Sequence, residues 1–316
     1  MVVKTVGSAV APLPAAFPRQ GRLWTARRRD IWLAYLFLSP TLLLLLGALA
    51  YPVAWEVGIS LTDFSPLKDS PTAFIGLENY RRLLATTEFW HAATATVVYI
   101  VVTTVAKLIL GVGFALLLAR PFFGRPLVFL AIFLPWAYPA SVSVIGWYWT
   151  LSPPITTSYS IFMSNLKFAV DSALGNGAWG LLSVLLFNIW RGSSFIGVFL
   201  LAGINAIPPE LFECALLESK SAWRRFRLVT VPLLKPFLAL AVFLSLTTAF
   251  ADLANVWMLT AGRIVYPILG TRSYWLAIHG GQFGPAAALS LTVVPLLIAA
   301  LFVLFRMFDP PEKETA

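Results

Sequence analysis

Long runs without a charged side chain constrain this chain more than any other feature. Residues 31–55 contain no Asp, Glu, Lys or Arg. Such a stretch exceeds the ~20 apolar residues that carry an α-helix across ~30 Å of hydrocarbon. Similar runs recur along the 316 residues, of which 59% are hydrophobic and only 12% are charged. The sequence therefore predicts an all-α integral membrane protein.

Six spans are predicted from these runs. They are residues 31–55, 92–118, 126–150, 172–190, 233–258 and 286–305. A secretory signal peptide is an alternative for the first run, because Ala48-Leu49-Ala50 resembles a cleavage site. The apolar stretch before that site is, however, longer than the ~7–15 residues of a signal peptide. Pro135 and Pro139 are expected to bend the third span.

The stretch after residue 172 leaves the number of spans open. Arg191 alone interrupts two uncharged runs there, which could form one span or two. With six spans, 15 of the 23 Lys and Arg residues lie on the side of both termini and 6 on the other side, as expected when the basic side is cytoplasmic. We therefore predict a six-span domain at residues 31–308, cytoplasmic tails at 1–30 and 309–316, and a separate helix at 192–207 packed at the inner edge of the bundle.

The loop after the fourth span, at about residues 208–227, carries the most specific pattern. Two prolines and acidic residues begin a short helix, and Ser221 can cap a second helix. The pattern reads Glu213-Cys214-Ala215, Glu218-Ser219-Lys220, Phe226 and Val231-Pro232, with the proline nineteen residues after the first glutamate. This loop resembles the E-A-A motif of the permease subunits of binding-protein-dependent ABC importers, specifically the maltose-type sugar permeases.

Further stretches extend the resemblance over about residues 30–308. They are residues 60–64 and 74–80, Leu134-Pro135-Trp136, Trp190-Arg191, and residues 201–208. The chain departs from the family where Cys214 replaces an alanine and Ser219 replaces a glycine. A glycine permits a positive φ between two helices, so Ser219 is expected either to bear strain or to turn differently.

The resemblance implies a six-helix transmembrane bundle that acts as a non-catalytic subunit of an ATP-driven importer for sugars or oligosaccharides. Its implied partners are a second permease subunit, two ABC ATPase subunits that hold ATP and Mg²⁺, an extracytoplasmic solute-binding protein and membrane lipids. The chain itself is expected to need no cofactor, and its implied location is the inner membrane of a bacterium or archaeon. Coupling to the ATPases would involve Glu213, Ala215, Glu218, Ser219 and Phe226.

Other functions are also open to a chain of this composition. The cargo could be a related solute such as glycerol phosphate, or the chain could be an autonomous secondary transporter, although its halves lack the internal repeats common in that class. An integral-membrane lipid enzyme is the third alternative. His91, His279 and the single cysteine do not indicate a metal site. The net charge of +9 does not indicate a nucleic-acid partner, because the basic residues flank apolar runs.

Polar residues within the spans are candidates for the translocation pathway, because such groups normally face the bundle interior or water. Those singled out are Asn188, Asp252 and Asn255 for sugar hydroxyls, with Trp147, Tyr148 and Trp257 for sugar faces. The aromatic residues could instead form an interfacial belt. Lys107 could pair with Asp252, or each could bind hydroxyls or water. Arg191 could meet the cargo or extend to the inner interface.

Overall fold

The computed structural model describes residues 20–151, 177–260 and 268–308. The helices in these ranges are α1 (Gln20–Ser60), α2 (Glu78–Leu84), α3 (Thr87–Leu118), α4 (Arg125–Ala137), α5 (Ala140–Leu151), α6 (Gly177–Asn205), α7 (Pro209–Glu218), α8 (Ala222–Arg225), α9 (Val231–Phe250), α10 (Leu253–Leu259), α11 (Leu269–Ile278), α12 (Phe283–Leu291) and α13 (Val293–Phe308). A π-helical segment, Phe226–Thr230, joins α8 to α9. The chain divides within α1 into two compact units, residues 1–56 and residues 57–316. The predicted C-terminal tail, most of the N-terminal tail and residues 172–176 of the fourth span lie outside the described residues, and the predicted domain limits stay predictions.

The described helices fit the predicted membrane fold. Five segments in these ranges are long and apolar enough to cross a membrane: Ile31–Ser60, Thr87–Leu118, Gly180–Asn205, Ala222–Phe250 and Phe283–Phe302. A sixth is added when α4 and α5, which meet at an angle of 93°, are counted as one bent span. The prediction of an all-α membrane protein is therefore confirmed.

The bend between α4 and α5 lies where the sequence predicts it. Tyr138 adopts an extended conformation, with ψ at 147°, directly before Pro139. A proline ring clashes with a preceding residue in the helical conformation, so the helix ends there. Pro135 lies within α4 and is buried.

The predicted separate helix at residues 192–207 is wrong. The structure has a single helix of 29 residues, α6, which passes through Arg191 without a break. A charged side chain interrupts a hydropathy profile, but it does not interrupt the backbone hydrogen bonds of a helix. The guanidinium group is accommodated because backbone carbonyls of a neighbouring segment accept its hydrogen bonds.

The predicted fifth span, which runs to residue 258, also differs from the structure. Helix α9 ends at Phe250, and α10 begins at Leu253. Asp252 lies at the break with a ψ of 32°, outside the helical range. Its carboxylate accepts hydrogen bonds from three other parts of the chain, which favours a break at this point over a continuous helix.

The loop that follows α1 is fixed by its own polar residues. The Asn79 side chain donates hydrogen bonds to the carbonyls of Ser60 and Thr62, at 2.8 and 2.7 Å. Asp63 accepts a hydrogen bond from the Lys68 ammonium group, and this bond holds the pKa of Asp63 below its ordinary value. The residues that carry the family resemblance in this loop therefore stabilise its shape.

Helices α3 and α6 pack closely because glycines remove side chains from their interface. A Cβ atom built at Gly111 would lie 2.6 Å from Cγ2 of Ile196, and one at Gly197 would lie 2.9 Å from Cβ of Phe114. Small residues let helix backbones approach closely in membranes, where packing contributes much of the association energy. Among the described helices, α3 and α6 therefore make the most extensive contact.

Two glycines on α3 provide a test of this packing. We expect Gly111→Val to destabilise the protein by about 1–3 kcal/mol, because the new side chain overlaps Ile196. Gly113→Val is the matched control, since apart from the adjoining part of its own helix no atom lies within 4 Å of a Cβ at Gly113. The measurement is the thermal unfolding midpoint in detergent, and equal midpoints for the two variants would contradict the interface described here.

Candidate functional site

A buried carboxylate forms the centre of the polar site. Asp252 is only 6% exposed and accepts hydrogen bonds from the Tyr99 hydroxyl, from Nδ2 of Asn188 at 2.6 Å and from Nδ2 of Asn255. Tyr99 belongs to α3, Asn188 to α6 and Asn255 to α10. The carboxylate therefore connects three helices at the point where α9 ends.

A cavity of about 320 Å³ opens beside this carboxylate. Its polar lining residues are Lys107, Asn188, Arg191, Ser245, Thr248, Asp252 and Asn255, and its apolar ones include Trp136, Phe187, Phe195 and Leu244. Oδ1 of Asn188 is buried and has no hydrogen-bond partner among the described residues. A buried acceptor without a partner is costly, so a ligand hydroxyl or water can satisfy it.

The two cations of the cavity make different contacts. Arg191 donates from Nη1 to the carbonyls of Pro135 and Tyr138, both at 2.8 Å, and so caps the end of α4 at the bend. Lys107 is buried and lines the cavity, but it makes no hydrogen bond or ion pair with a described residue. The direct ion pair between Lys107 and Asp252, one of the two arrangements predicted from the sequence, is therefore not formed.

The structure brings together only half of the predicted pathway residues. Asn188, Asp252 and Asn255 share the cavity. Trp147 instead packs on Phe187 and Trp190, and Trp257 packs on Tyr274 and His279. Tyr148 packs against the buried cluster that contains Tyr99 and Phe187. These three aromatic residues are not among those that line the cavity, and their pathway role stays a prediction.

Three polar residues of this site were not predicted from the sequence: Ser245 and Thr248, which line the cavity, and Tyr99, which donates to Asp252. The position of Tyr99 follows a recognisable pattern, because the buried polar residues of α3 recur at helical spacing. They are Thr96, Tyr99, Thr103, Thr104 and Lys107. Polar side chains three and four residues apart lie on one face of a helix. This stripe marks the side of α3 that faces the polar interior.

The predicted coupling loop has a defined structure. Oγ of Ser221 accepts a hydrogen bond from the Arg224 amide, so the predicted cap of the second helix is confirmed. Ser219 lies between the two helices with φ at −150° and ψ at 130°. This extended conformation carries no strain, so Ser219 turns differently from a glycine with positive φ. The Arg225 guanidinium holds the turn by donating to the Ser219 carbonyl at 2.7 Å.

One face of α7 is exposed and the other is anchored in the bundle. Ala215 is buried, and Phe212 packs against the core cluster that contains Leu200 and Leu234. The exposed face comprises Glu210, Glu213, Cys214 and Leu217 at helical spacing. Leu217 is 91% exposed. Glu218 is also exposed, whereas Ser219 and Phe226 are half-buried.

Known proteins with similar sequences identify the family of this chain. The chain is 31% identical over 287 residues to the trehalose/maltose transport system permease protein MalF of Thermococcus litoralis, a match that covers 88% of this chain and 94% of that protein. The chain belongs to the permease proteins of sugar ABC transporters. The permease is also 28% identical over 294 residues to the trehalose transport system permease protein SugA of Mycobacterium tuberculosis, a match that covers 93% of each chain.

A solved structure shows the same fold. It is the bacterial alginate ABC transporter in complex with an alginate pentasaccharide-bound periplasmic protein. The TM-score is 0.73 at 20% sequence identity, and the match covers 91% of the permease and 97% of the other chain. No family model matches the permease. The family assignment confirms the predicted non-catalytic subunit of an ABC importer and disfavours autonomous secondary transport and a lipid enzyme.

The contact between Tyr99 and Asp252 can be tested by removing one oxygen atom. We expect Tyr99→Phe to destabilise the permease by about 1–3 kcal/mol, because a buried carboxylate loses one of its three donors. The measurement is the unfolding midpoint in detergent. Tyr148→Phe is the control, since the Tyr148 hydroxyl makes no hydrogen bond with a described residue. A midpoint for Tyr99→Phe equal to that of the control would show that the hydrogen bond is unimportant.

Proposed function

We propose that the permease forms one half of the pathway through which a sugar or oligosaccharide crosses the inner membrane of a bacterium or archaeon. The second half would come from another permease subunit. The observation that carries the proposal is the polar cavity beside Asp252, which lies among helices apolar enough to span a membrane. Polar groups at that depth are costly unless they serve a pathway or bind one another.

The chemistry of the cavity suits a polyhydroxylated cargo. Asn188 and Asn255 supply amide groups, and Ser245 and Thr248 supply hydroxyls. Oδ1 of Asn188 is an acceptor that no described residue occupies. Sugars need several such donors and acceptors at once, together with apolar walls for their C–H surfaces. A volume of about 320 Å³ lies at the lower end of small-molecule sites, which hold roughly 300–1,000 Å³. The names of MalF and SugA, which specify trehalose and maltose, support this cargo class.

The proposed assembly contains two further kinds of partner. Two cytoplasmic ATPase subunits would bind ATP and Mg²⁺, and a solute-binding protein would deliver cargo from the other side of the membrane. Support for the solute-binding protein comes from the alginate transporter, whose structure includes a periplasmic protein loaded with saccharide. Both termini and the loop at residues 208–227 would then be cytoplasmic, in agreement with the distribution of Lys and Arg.

The exposed face of α7 is the proposed contact with an ATPase. Leu217 is an apolar side chain that is almost fully exposed in the isolated chain, and Glu213 lies one turn before it on the same face. Phe212, on the opposite side of α7, packs against the core of the bundle. A displacement of α7 by the ATPase would therefore be transmitted to α6 and α9 through packed side chains. The orientation of α7 in this contact would be set by Ala215, Glu218, Ser219 and Phe226.

The pathway proposal predicts a block when the cavity is filled. Ala251 lines the cavity, so Ala251→Phe places a large ring in it without removing a hydrogen bond of Asp252. We expect sugar uptake by the assembled importer to fall about tenfold or more, because the ring occupies space that the cargo needs, and a tenfold loss corresponds to about 1.4 kcal/mol.

The control for this block lies one turn along the chain. Ala254 is exposed and does not line the cavity, so Ala254→Phe should leave uptake unchanged. The measurement is uptake of a labelled saccharide that the unmodified importer transports, by cells that contain equal amounts of each complex. Normal uptake with phenylalanine at position 251 would remove the cavity from the pathway.

The coupling proposal can be tested through Cys214, the single cysteine of the chain, which lies exposed on the proposed contact face. A short thiol-to-amine crosslinker applied to native inverted membranes should join Cys214 to an ATPase subunit, identified by mass spectrometry. Cys214→Ser should abolish the product. A chain that carries both Cys214→Ser and Ser70→Cys moves the thiol to an exposed position in the loop after α1. Capture of an ATPase from position 70 but not from position 214 would reverse the proposed topology.

A further inference from the structure

The cavity contains more positive than negative charge. Lys107, Arg191 and Asp252 are the ionisable residues of its lining, two bases against one acid. Charges held inside a membrane protein normally pair with one another or with a ligand. Transport of a neutral sugar does not explain this excess of basic over acidic residues. The inference that follows rests on the proposed transport of a sugar.

Asp252 does not compensate the excess base by direct contact. Its two oxygens accept hydrogen bonds from three neutral donors, on Tyr99, Asn188 and Asn255. Lys107 is absent from this group and forms no ion pair within the described residues, although only 2% of it is exposed. Within the described residues, the buried ammonium group of Lys107 thus makes no direct contact with an oppositely charged group, and Asp252 acts on it only through space.

The surroundings of Lys107 hold its side chain at the cavity. A Cβ atom built at Gly192 would lie 2.2 Å from Cδ of Lys107 and 3.2 Å from its Cγ. The lysine stem therefore occupies the space that a side chain at residue 192 would fill. Since Gly192 itself lines the cavity, this close approach positions the ammonium end beside it.

Arg191 adds a second base with free donors. Its Nη1 is engaged by the carbonyls of Pro135 and Tyr138, which fixes the plane of the guanidinium group. Its Nε and Nη2 make no hydrogen bond within the described part of the chain. A guanidinium held in this way can present its remaining N–H groups to an oxyanion.

We infer that the cargo is an acidic saccharide, and that Lys107 is the residue that selects its anionic group. The acid would bind between Lys107 and Arg191, while the hydroxyls of the sugar meet Asn188, Asn255 and the side-chain oxygens of the cavity. A carboxylate of the uronate kind gives this ammonium group a direct contact of opposite charge, which a neutral sugar does not provide. Specificity then arises because the ammonium group of Lys107 lacks a direct partner when a neutral sugar enters the cavity.

The test compares three probes that differ only in the acidic group. They are a glucuronosyl-glucose disaccharide, its methyl ester, and the neutral glucosyl-glucose disaccharide of the same linkage. Uptake is measured in proteoliposomes that contain the complete importer with its solute-binding protein and ATP. We expect the acid to be taken up at least tenfold faster than its ester, and this preference to disappear in Lys107→Met and to persist in Lys107→Arg.

A second variant keeps the inference testable if Lys107→Met does not assemble. Gly192→Ala leaves the charge in place but displaces the lysine stem, so it should lower the preference for the acid as well. Gly146→Ala is its control, because no atom lies within 4 Å of a Cβ at Gly146. A preference that both Lys107→Met and Gly192→Ala leave unchanged would overturn the role of Lys107.

The outcomes separate this inference from the proposed function. The neutral disaccharide or the ester could be taken up as fast as the acid or faster. That result would overturn the inference of an acidic cargo, but not the proposal of sugar transport. Failure to take up any of the three probes would contradict both. A preference for the acid that depends on Lys107 supports both.

Discussion

The carboxylate of Asp252 is the contact on which the polar interior of the permease depends. It brings together a hydroxyl from α3, an amide from α6 and an amide from α10 at the break that follows α9. A carboxylate at this depth is costly unless donors surround it, and the three donors come from separate helices. The relative positions of these helices are therefore tied to a single charged group, and the cavity is the space that remains beside it.

The same principle explains the bend between α4 and α5. Pro139 ends the first helix, and the carbonyls of Pro135 and Tyr138 at that end need donors. Arg191 supplies them from the middle of α6. Two features that are separately unfavourable in a membrane, a broken helix and a half-buried guanidinium group, thus satisfy each other. The arginine also becomes part of the cavity wall because it reaches this bend.

Packed side chains connect the cavity to the loop at residues 208–227. Core residues of α3, α6 and α9 form one cluster, and Phe212 of α7 packs against it. Glycines at positions 111 and 197 let α3 and α6 approach closely, so these two helices can be expected to move together. An event at the exposed face of α7 can thereby reach residues that line the cavity on α6, among them Asn188 and Arg191.

The sequence by itself determined the membrane class, the proline bend, the cap at Ser221 and the family, because each of these depends on residues that are close together in the sequence. Hydropathy belongs to a continuous stretch, and the motif spacing of the loop lies within nineteen residues. The sequence also singled out Asn188, Asp252 and Asn255, since polar residues stand out in an apolar run. It did not reveal Tyr99, which bonds to Asp252 across 153 residues. Only the tertiary structure decided that partner, the continuity of α6 and the end of α9, because each depends on which groups from distant parts of the chain satisfy a buried charge.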